Sequence, residues 1–187
     1  MVNNQFEEIK ALLGESDTYY LIGVDMTSNY TYVNKHYNDV FTPIHGDLVG
    51  QHYAITMHEE DIETCQIVSN KAFNNSNAVF PATIRKHNGE GDYFITRWDY
   101  KAIIDEKGQP SGMFCVGHDI TELTKMAGEL DQIKQDHSHR IRRHVANIMG
   151  LGKLIQEAKG VEDLTTVARM ILQSSSELDK VIKTLSK

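Results

Sequence analysis

Twelve residues near the middle of the chain read YFITRWDYKAII and run from Tyr93 to Ile104. Arg97, Asp99 and Lys101 alternate with mostly apolar and aromatic neighbours. Successive side chains of a β-strand point to opposite faces, so this period of two predicts a strand with one buried face. The residues expected on that buried face are Phe94, Thr96, Trp98, Tyr100 and Ala102.

Turn-forming residues bound this strand on both sides. Residues 87–91 (HNGEG) precede it and residues 105–108 (DEKG) follow it, and Asn, Asp and Gly are typical of tight turns. Beyond the turns, residues 79–86 and 113–116 are rich in strand-forming side chains. The sequence therefore predicts three consecutive antiparallel strands in this part of the chain.

The residues before these strands predict a hairpin and several helices. Residues 21–24 and 29–33 are two short strand-like runs separated by turn-forming residues. Residues 39–50 contain a proline and two glycines, which suits irregular short helices and loops, whereas residues 62–73 have near-helical apolar spacing. This order of elements predicts an α+β fold with an antiparallel sheet flanked by short helices.

After Asp119 the periodicity becomes helical, and no proline occurs beyond Pro110. Side chains at spacings of three and four form a seam typical of a coiled coil, and the apolar stripe then continues to Ile155. Lys159-Gly160 is expected to end this helix, and Asp163 is the expected N-cap of a second amphipathic helix. The seam residues are Leu123, Met126, Leu130, Ile133 and His137.

Two amphipathic helices in a hairpin cannot bury their apolar stripes alone. A second copy of the hairpin would complete a four-helix bundle, which is a common solution for such helices. We therefore expect a coiled-coil linker followed by a helical hairpin that forms a dimeric four-helix bundle, in a parallel homodimer.

The composition excludes several classes of protein. The net charge of −7 over 187 residues disfavours nucleic acid and anionic membranes as partners. No apolar run approaches the length of a membrane span, and residues 1–15 are too polar for a signal peptide. Cys65 and Cys115 have neither metal-binding nor redox spacing, so we interpret them as reduced thiols and predict no metal site and a cytoplasmic location.

Five segments resemble the sequence pattern of PAS domains of the PAS-plus-PAC kind, with Glu59 where proline is usual. They are residues 48–50 (LVG), 57–61 (MHEED), 88–98 (from NG to W), 108–112 (GQPSG) and 117–122 (GHDITE). The resemblance covers about residues 16–123 and implies a PAS fold with a sensing or partner-binding role. The Asp-Ile-Thr ending is its most specific part.

The same resemblance implies that Asp119 and Thr121 close the sheet, start the output helix and transmit the signal. Asp119 can accept hydrogen bonds from the first helical amides, and Thr121 can bond to it sideways. The alternative is that Asp119 is only an N-cap.

The ligand of this domain is not readable from the sequence. The aromatic residues that we expect on the pocket side are Trp98, Tyr100, Phe94, Phe114 and Tyr32, and such residues more often form plain core. Cys65 lacks the Asn-Cys-Arg-Phe context of flavin-binding light sensors, and we do not expect His58 to ligate a haem. The cofactor-binding residues are therefore unknown.

Residues 138–151 read SHRIRRHVANIMGL and resemble the H-box of sensor histidine kinases. The resemblance implies that His139 accepts a phosphoryl group, with Arg142 as part of the motif. Neutral imidazole is nucleophilic near neutral pH. His139 lies about 200° around a helix from the seam residue His137, so we expect it to face solvent. The alternative is an ordinary surface histidine.

Three positions depart from the H-box pattern. Arg140 stands where a carboxylate usually follows the histidine, and Asp136 is the candidate orienting acceptor in its place. Arg143 replaces the Thr or Asn that positions water, which predicts weak or absent phosphatase activity by that route. His144 replaces a proline, which predicts a straighter helix and makes His144 a minor candidate acceptor. The arginine cluster can contact phosphate oxygens or an acidic response regulator, or can be a solvated basic turn.

No motif of an ATP-binding domain occurs in the chain, so we do not expect it to be active alone as an enzyme. We expect an N-terminal helix (1–15), a PAS sensor domain (16–119), a coiled-coil signalling helix (120–136) and a dimerisation and phosphotransfer hairpin (137–187). The leading interpretation is the sensory and phosphoacceptor portion of a cytoplasmic two-component histidine kinase. Its expected partners are a second copy, a response regulator receiver domain and an ATP-binding domain that holds ATP and Mg²⁺. The alternatives are a non-catalytic dimeric PAS scaffold and a standalone phosphotransfer protein.

Overall fold

The computed structural model describes residues 4–185, so residues 1–3 and 186–187 of the expected terminal helices lie outside the described part. The chain divides into two compact units, the first ending at Thr124 and the second beginning at Lys125. The elements of the first unit are α1 (Asn4–Leu13), β1 (Tyr20–Asp25), β2 (Tyr30–Val33), α2 (Lys35–His45), α3 (Ile62–Asn74), β3 (Phe80–His87), β4 (Tyr93–Ile104) and β5 (Pro110–Asp119), with short 3₁₀ turns at Tyr53–Thr56 and Glu59–Asp61.

The five strands form one antiparallel sheet in the order β2-β1-β5-β4-β3. The first and last strands of the chain segment, β1 and β5, therefore lie side by side in the centre of the sheet. This confirms the α+β fold with an antiparallel sheet and flanking helices.

Strand β4 has the predicted alternation. Thr96, Trp98, Tyr100 and Ala102 are buried, while Arg97 and Asp99 are exposed. Trp98 pairs across the sheet with Gly117 on β5, and its ring covers that glycine so closely that a Cβ there would come within 2.5 Å of the indole. Position 117 therefore has room for glycine only.

The sheet is covered on both faces, and this corrects two predicted pocket residues. The larger core lies between one face and helices α2 and α3. On the other face, Phe6 of α1 packs against Leu21 and Phe114, with Tyr32 beside them. Phe114 and Tyr32 are therefore not on the pocket side, because α1 buries the second face of the central strands.

Helix α2 is more regular than the sequence indicated. Asn34 caps it by accepting from the Tyr37 amide, and Tyr37 and Phe41 are fully buried one turn apart. Pro43 lies in the last turn, and the helix ends two residues after it. The cap and the buried aromatic pair outweigh the unfavourable effect of a proline near the C-terminal end.

Helix α4 (Thr121–Glu157) begins in the first unit and continues without interruption through position 144 in the second. Helix α5 (Val161–Leu185) follows after a short break. The expected break at Lys159-Gly160 is present, but the predicted N-cap is wrong, since Asp163 lies inside the first turn of α5. There its carboxylate faces the positive end of the helix dipole without capping it. Among residues 4–185, no helix is long and apolar enough to cross a bilayer.

Candidate functional site

A cavity of about 440 Å³ lies in the larger core, between the sheet and α3. Most of its wall is apolar or aromatic, and three methionines (Met26, Met57 and Met113) contribute flexible side chains. Trp98 and Tyr100, two of the predicted pocket residues, line it, whereas Phe94 packs at the edge of the same core. Ser28, Gln66, Ser69 and Asn70 add polar groups to the wall, and the size of the cavity is typical of a small-molecule site.

The charged groups that line this cavity are Lys86 and Asp25. Strand β3 carries Lys86 on the same face as the buried residues Ala82 and Ile84, and only 2% of the lysine is exposed. Burial lowers the pKa of Lys86 to about 8, because a charged ammonium loses its hydration in the core. The sequence motifs do not point to Lys86, although it shares the strand parity of the buried Ala82 and Ile84.

Lys86 is held by one hydrogen bond and by aromatic rings. Its Nζ donates to Thr56 Oγ1 at 2.9 Å. The same nitrogen lies 5.2 Å from the ring centroid of Trp98, 5.4 Å from that of Tyr37 and 5.8 Å from that of Phe41. Such contacts favour a buried cation electrostatically. None of the ion pairs found within residues 4–185 includes Lys86.

Thr56 is the hub of a buried hydroxyl cluster. Its Oγ1 lies 2.9 Å from Tyr30 Oη and 3.1 Å from Tyr37 Oη, and the two phenols are 2.7 Å apart. Thr56 also donates to the carbonyl of Tyr53. Burial raises the pKa of both tyrosines well above the usual range, so these phenols are neutral hydrogen-bonding groups.

Arg85 fixes the strand position next to Lys86. Its guanidinium donates to Asp61 Oδ1 at 2.7 Å and to Glu60, and its backbone N–H donates to Asp61 Oδ2 at 2.6 Å. Burial opposes ionisation of Asp61, but the hydrogen bonds from Arg85 outweigh it and lower the pKa of the carboxyl. The segment before α3, which resembles the PAS pattern, is thus tied to the strand that carries Lys86.

Asp119 and Thr121 form the junction between the sheet and α4. Asp119 Oδ1 accepts from the Thr121 amide at 2.7 Å and from the Thr121 hydroxyl at 2.5 Å. The Ile95 amide of β4 donates to Thr121 Oγ1 at 2.8 Å, and the Ile120 amide donates to the Ile95 carbonyl. The start of α4 is therefore hydrogen-bonded to an inner strand of the sheet.

His139 lies on the exposed surface of α4, and Arg140, Arg142 and Arg143 are exposed around it. The candidate orienting residue Asp136 accepts a hydrogen bond from Gln132 at 3.0 Å. Within the described residues no hydrogen bond joins Asp136 to His139. In this structure the histidine and its candidate partner therefore lie on the same helix and are not hydrogen-bonded to each other.

His144 has a different environment from His139. It is half-buried, and its Nδ1 lies 3.8 Å from Glu177 Oε2 of α5. The carboxylate is too far for a hydrogen bond but close enough to attract a protonated imidazole. This contact between the two helices was not foreseen from the sequence.

Comparisons with known proteins agree with the fold. A family model described as PAS fold matches residues 15–125, which is more than half of the chain. Comparison with curated protein sequences gave no match.

Three similar solved structures illustrate the range of relatives. The PAS domain of a protein from Colwellia psychrerythraea is 16% identical, with a TM-score of 0.52 over 65% of this chain and 99% of that one. An RNA-binding light-oxygen-voltage receptor is 11% identical, with a TM-score of 0.55 over 71% of this chain and 37% of that one. A sensory box histidine kinase/response regulator from Burkholderia thailandensis is 16% identical, with a TM-score of 0.47 over 71% of this chain and 96% of that one. At these identities, the two structures with TM-scores above 0.5 resemble this chain in fold alone. With its five-stranded sheet, its core cavity and the matched residues 15–125, the chain belongs to the PAS fold family.

Proposed function

We propose that this chain is the sensory and phosphoacceptor portion of a two-component histidine kinase. The PAS domain binds the input, α4 carries the signal, and His139 accepts the phosphoryl group. The observation that carries this proposal is an exposed histidine in an H-box-like stretch, on a helix whose first residue is hydrogen-bonded to the PAS sheet.

The reaction follows from the nucleophilicity of a neutral imidazole. A ring nitrogen of His139 attacks the γ-phosphorus of ATP, a P–N bond forms, and ADP leaves with the electrons of the broken P–O bond. A separate ATP-binding domain holds the ATP and its Mg²⁺. An aspartate of a response regulator then takes the phosphoryl group, and the ring nitrogen keeps the electron pair of the P–N bond. The exposed arginines 140, 142 and 143 supply a positive surface that attracts an acidic receiver domain.

We further propose a homodimer. Leu123, Met126, Leu130 and Ile133 each expose more than half of their surface in the single chain. They occupy one heptad seam, and a second copy of α4 in parallel would cover them. The α4–α5 hairpin also leaves an open groove lined by Gly150, Leu154 and Met170, which suits the packing of a second hairpin.

The location that we propose is the cytoplasm. Cys65 and Cys115 are both buried and free, which is usual for proteins of reducing compartments.

The second candidate function is a dimeric PAS scaffold that binds a partner without phosphotransfer. The observation that favours it is the environment of His139: Arg140 cannot accept a hydrogen bond from the imidazole, and Asp136 is bonded to Gln132 instead. Under this alternative the arginine-rich surface binds a partner but supports no chemistry.

Labelling with γ-phosphate-radioactive ATP distinguishes these functions, with the ATP-binding domain supplied in cis or in trans. Wild type is compared with His139→Ala and with His144→Ala, and an established H-box substrate controls for the activity of the added domain. We expect an acid-labile label that disappears in His139→Ala and persists in His144→Ala. If the control substrate is labelled and the wild-type chain is not, the kinase function is refuted and the scaffold function remains. A label that appears only when a complete kinase from a different protein is added would favour a standalone phosphotransfer protein.

A further inference from the structure

We propose that the PAS cavity binds a small organic carboxylate, whose apolar body fills the cavity and whose carboxylate is held by Lys86. This inference rests on the proposed sensory function, because it names the class of molecule that the sensor domain binds.

Lys86 has unused hydrogen-bonding capacity. An ammonium group has three N–H donors, and within residues 4–185 one of them is used, to Thr56. A buried cation without a carboxylate partner is costly for the fold. An ion pair with a ligand carboxylate would use the remaining donors and neutralise the charge.

Thr56 fixes the ammonium of Lys86 in position. Its hydroxyl oxygen contacts the two tyrosine hydroxyls as well as Lys86, and it donates to the Tyr53 carbonyl. Because these contacts fill its hydrogen-bonding capacity, Thr56 does not compete for the ligand. Among the described residues that line the cavity, Lys86 is the one cationic side chain.

The rest of the cavity wall offers no second cation to a ligand among the described residues. The other charged lining residue, Asp25, is engaged in a turn, where its Oδ1 accepts from the amides of Thr27 and Asn29. Apolar and aromatic side chains are the majority of the remaining lining, Gln66, Ser69 and Asn70 add neutral polar groups, and the methionines adapt to different shapes. Because Lys86 is the cationic side chain of this lining, such a cavity suits a ligand with a largely apolar body and a single anionic group, and it disfavours polyanions.

The chain contains its own reporter for this test. Trp98 is the single tryptophan of the sequence, and it lines the cavity 5.2 Å from Lys86 Nζ. Its fluorescence therefore responds to a ligand at the lysine. The probes are phenylacetate, cinnamate and octanoate, each compared with its primary amide, which has nearly the same shape and no charge.

We expect the purified full chain to bind at least one acid about tenfold or more tightly than the matching amide, because a charge-assisted hydrogen bond is lost with the amide. In Lys86→Met the acid should lose this advantage while the amide binds as before. Lys101→Met, on the outward face of β4, is the matched control and should keep the preference for the acid.

Equal affinity for acid and amide in wild type would overturn the proposal and leave a cavity for neutral ligands. An acid preference that survives in Lys86→Met would overturn it as well, as would the absence of binding by every acid at millimolar concentration. The wild-type comparison needs no variant to fold. The binding assay requires no phosphotransfer. If the chain binds the acid but His139 is not labelled by radioactive ATP, the kinase function is refuted and the carboxylate site is not.

Discussion

Replacing Lys86 by methionine should change how the stability of the PAS unit depends on pH. The pKa of Lys86 falls from 10.5 to about 8 on folding, because burial penalises the charged form. Between these two values the unfolded chain binds more protons than the folded chain, and the free energy of unfolding therefore rises with pH. In wild type this contribution of Lys86 is absent below the folded pKa and grows as pH rises through it.

The size of the effect follows from the two pKa values. Between about pH 7 and about pH 9.5, Lys86 should add about 2 kcal/mol to the free energy of unfolding. Methionine has similar length and no charge, so Lys86→Met should lack this increment. At neutral pH the variant should be at least as stable as wild type, since it removes an unpaired buried charge.

The assay is urea denaturation, followed by Trp98 fluorescence, across this range of pH. The other titrating residues of the core, among them Tyr30, Tyr37 and Cys115, are common to both proteins, so the difference between the two curves isolates Lys86. A difference that stays constant with pH would mean that the lysine is not desolvated. The buried ammonium, and with it the carboxylate site, would then be refuted.

The remaining predictions concern the sheet, the junction and the dimer. Gly117→Ala should lower the free energy of unfolding by about 1–3 kcal/mol, because the added Cβ meets the Trp98 ring. Gly128→Ala is the control, since position 128 on α4 faces open space and the substitution should not destabilise the protein. Equal denaturation midpoints for the two variants would contradict this prediction. Thr121→Val should lower the free energy of unfolding by about 1 kcal/mol, because it leaves the Ile95 amide unpaired, and Thr121→Ser should retain the stability by keeping a hydroxyl acceptor. The measurement is calorimetry. A valine variant as stable as wild type would show that this hydrogen bond does not stabilise the junction. Ile133→Lys should shift the protein from dimer to monomer in sedimentation equilibrium, because it introduces a charge into the apolar seam, and an unchanged mass would exclude the coiled coil as the dimer contact.

The sequence predicted best where one face of an element is buried and the other is exposed. Strand β4 is such an element, and its buried face at Thr96, Trp98 and Tyr100 is the one that alternation predicts. Alternation carries no information about strands covered on both faces, such as β1 and β5. Phe114 was therefore assigned to the wrong face, because only the packing of Phe6 shows that α1 covers the outer side.

Lys86 was missed for a related reason. In a predicted strand a lysine is ordinarily assigned to the solvent face, since buried lysines are rare. Only the tertiary structure shows that Thr56 and three aromatic rings surround its ammonium. The partners come from distant parts of the chain, so no local pattern reports them. The proposed role of His139, in contrast, depends on a local sequence motif. The structure contributes two further observations, that His139 is exposed and that it lies on α4.

Strand β4 connects the proposed ligand site to the start of helix α4. Trp98 Nε1 donates to Thr96 Oγ1, which donates to the Ile84 carbonyl of β3, two residues before Lys86. Thr96 pairs with Asp119 across the sheet, and the neighbouring Ile95 binds both Ile120 and Thr121. A ligand that moves the Trp98 ring would therefore act on the residues that hold the first turn of α4. These contacts are short hydrogen bonds between buried or half-buried groups, so water cannot easily replace them when the Trp98 ring moves. We therefore expect a displacement of this ring to move the start of α4.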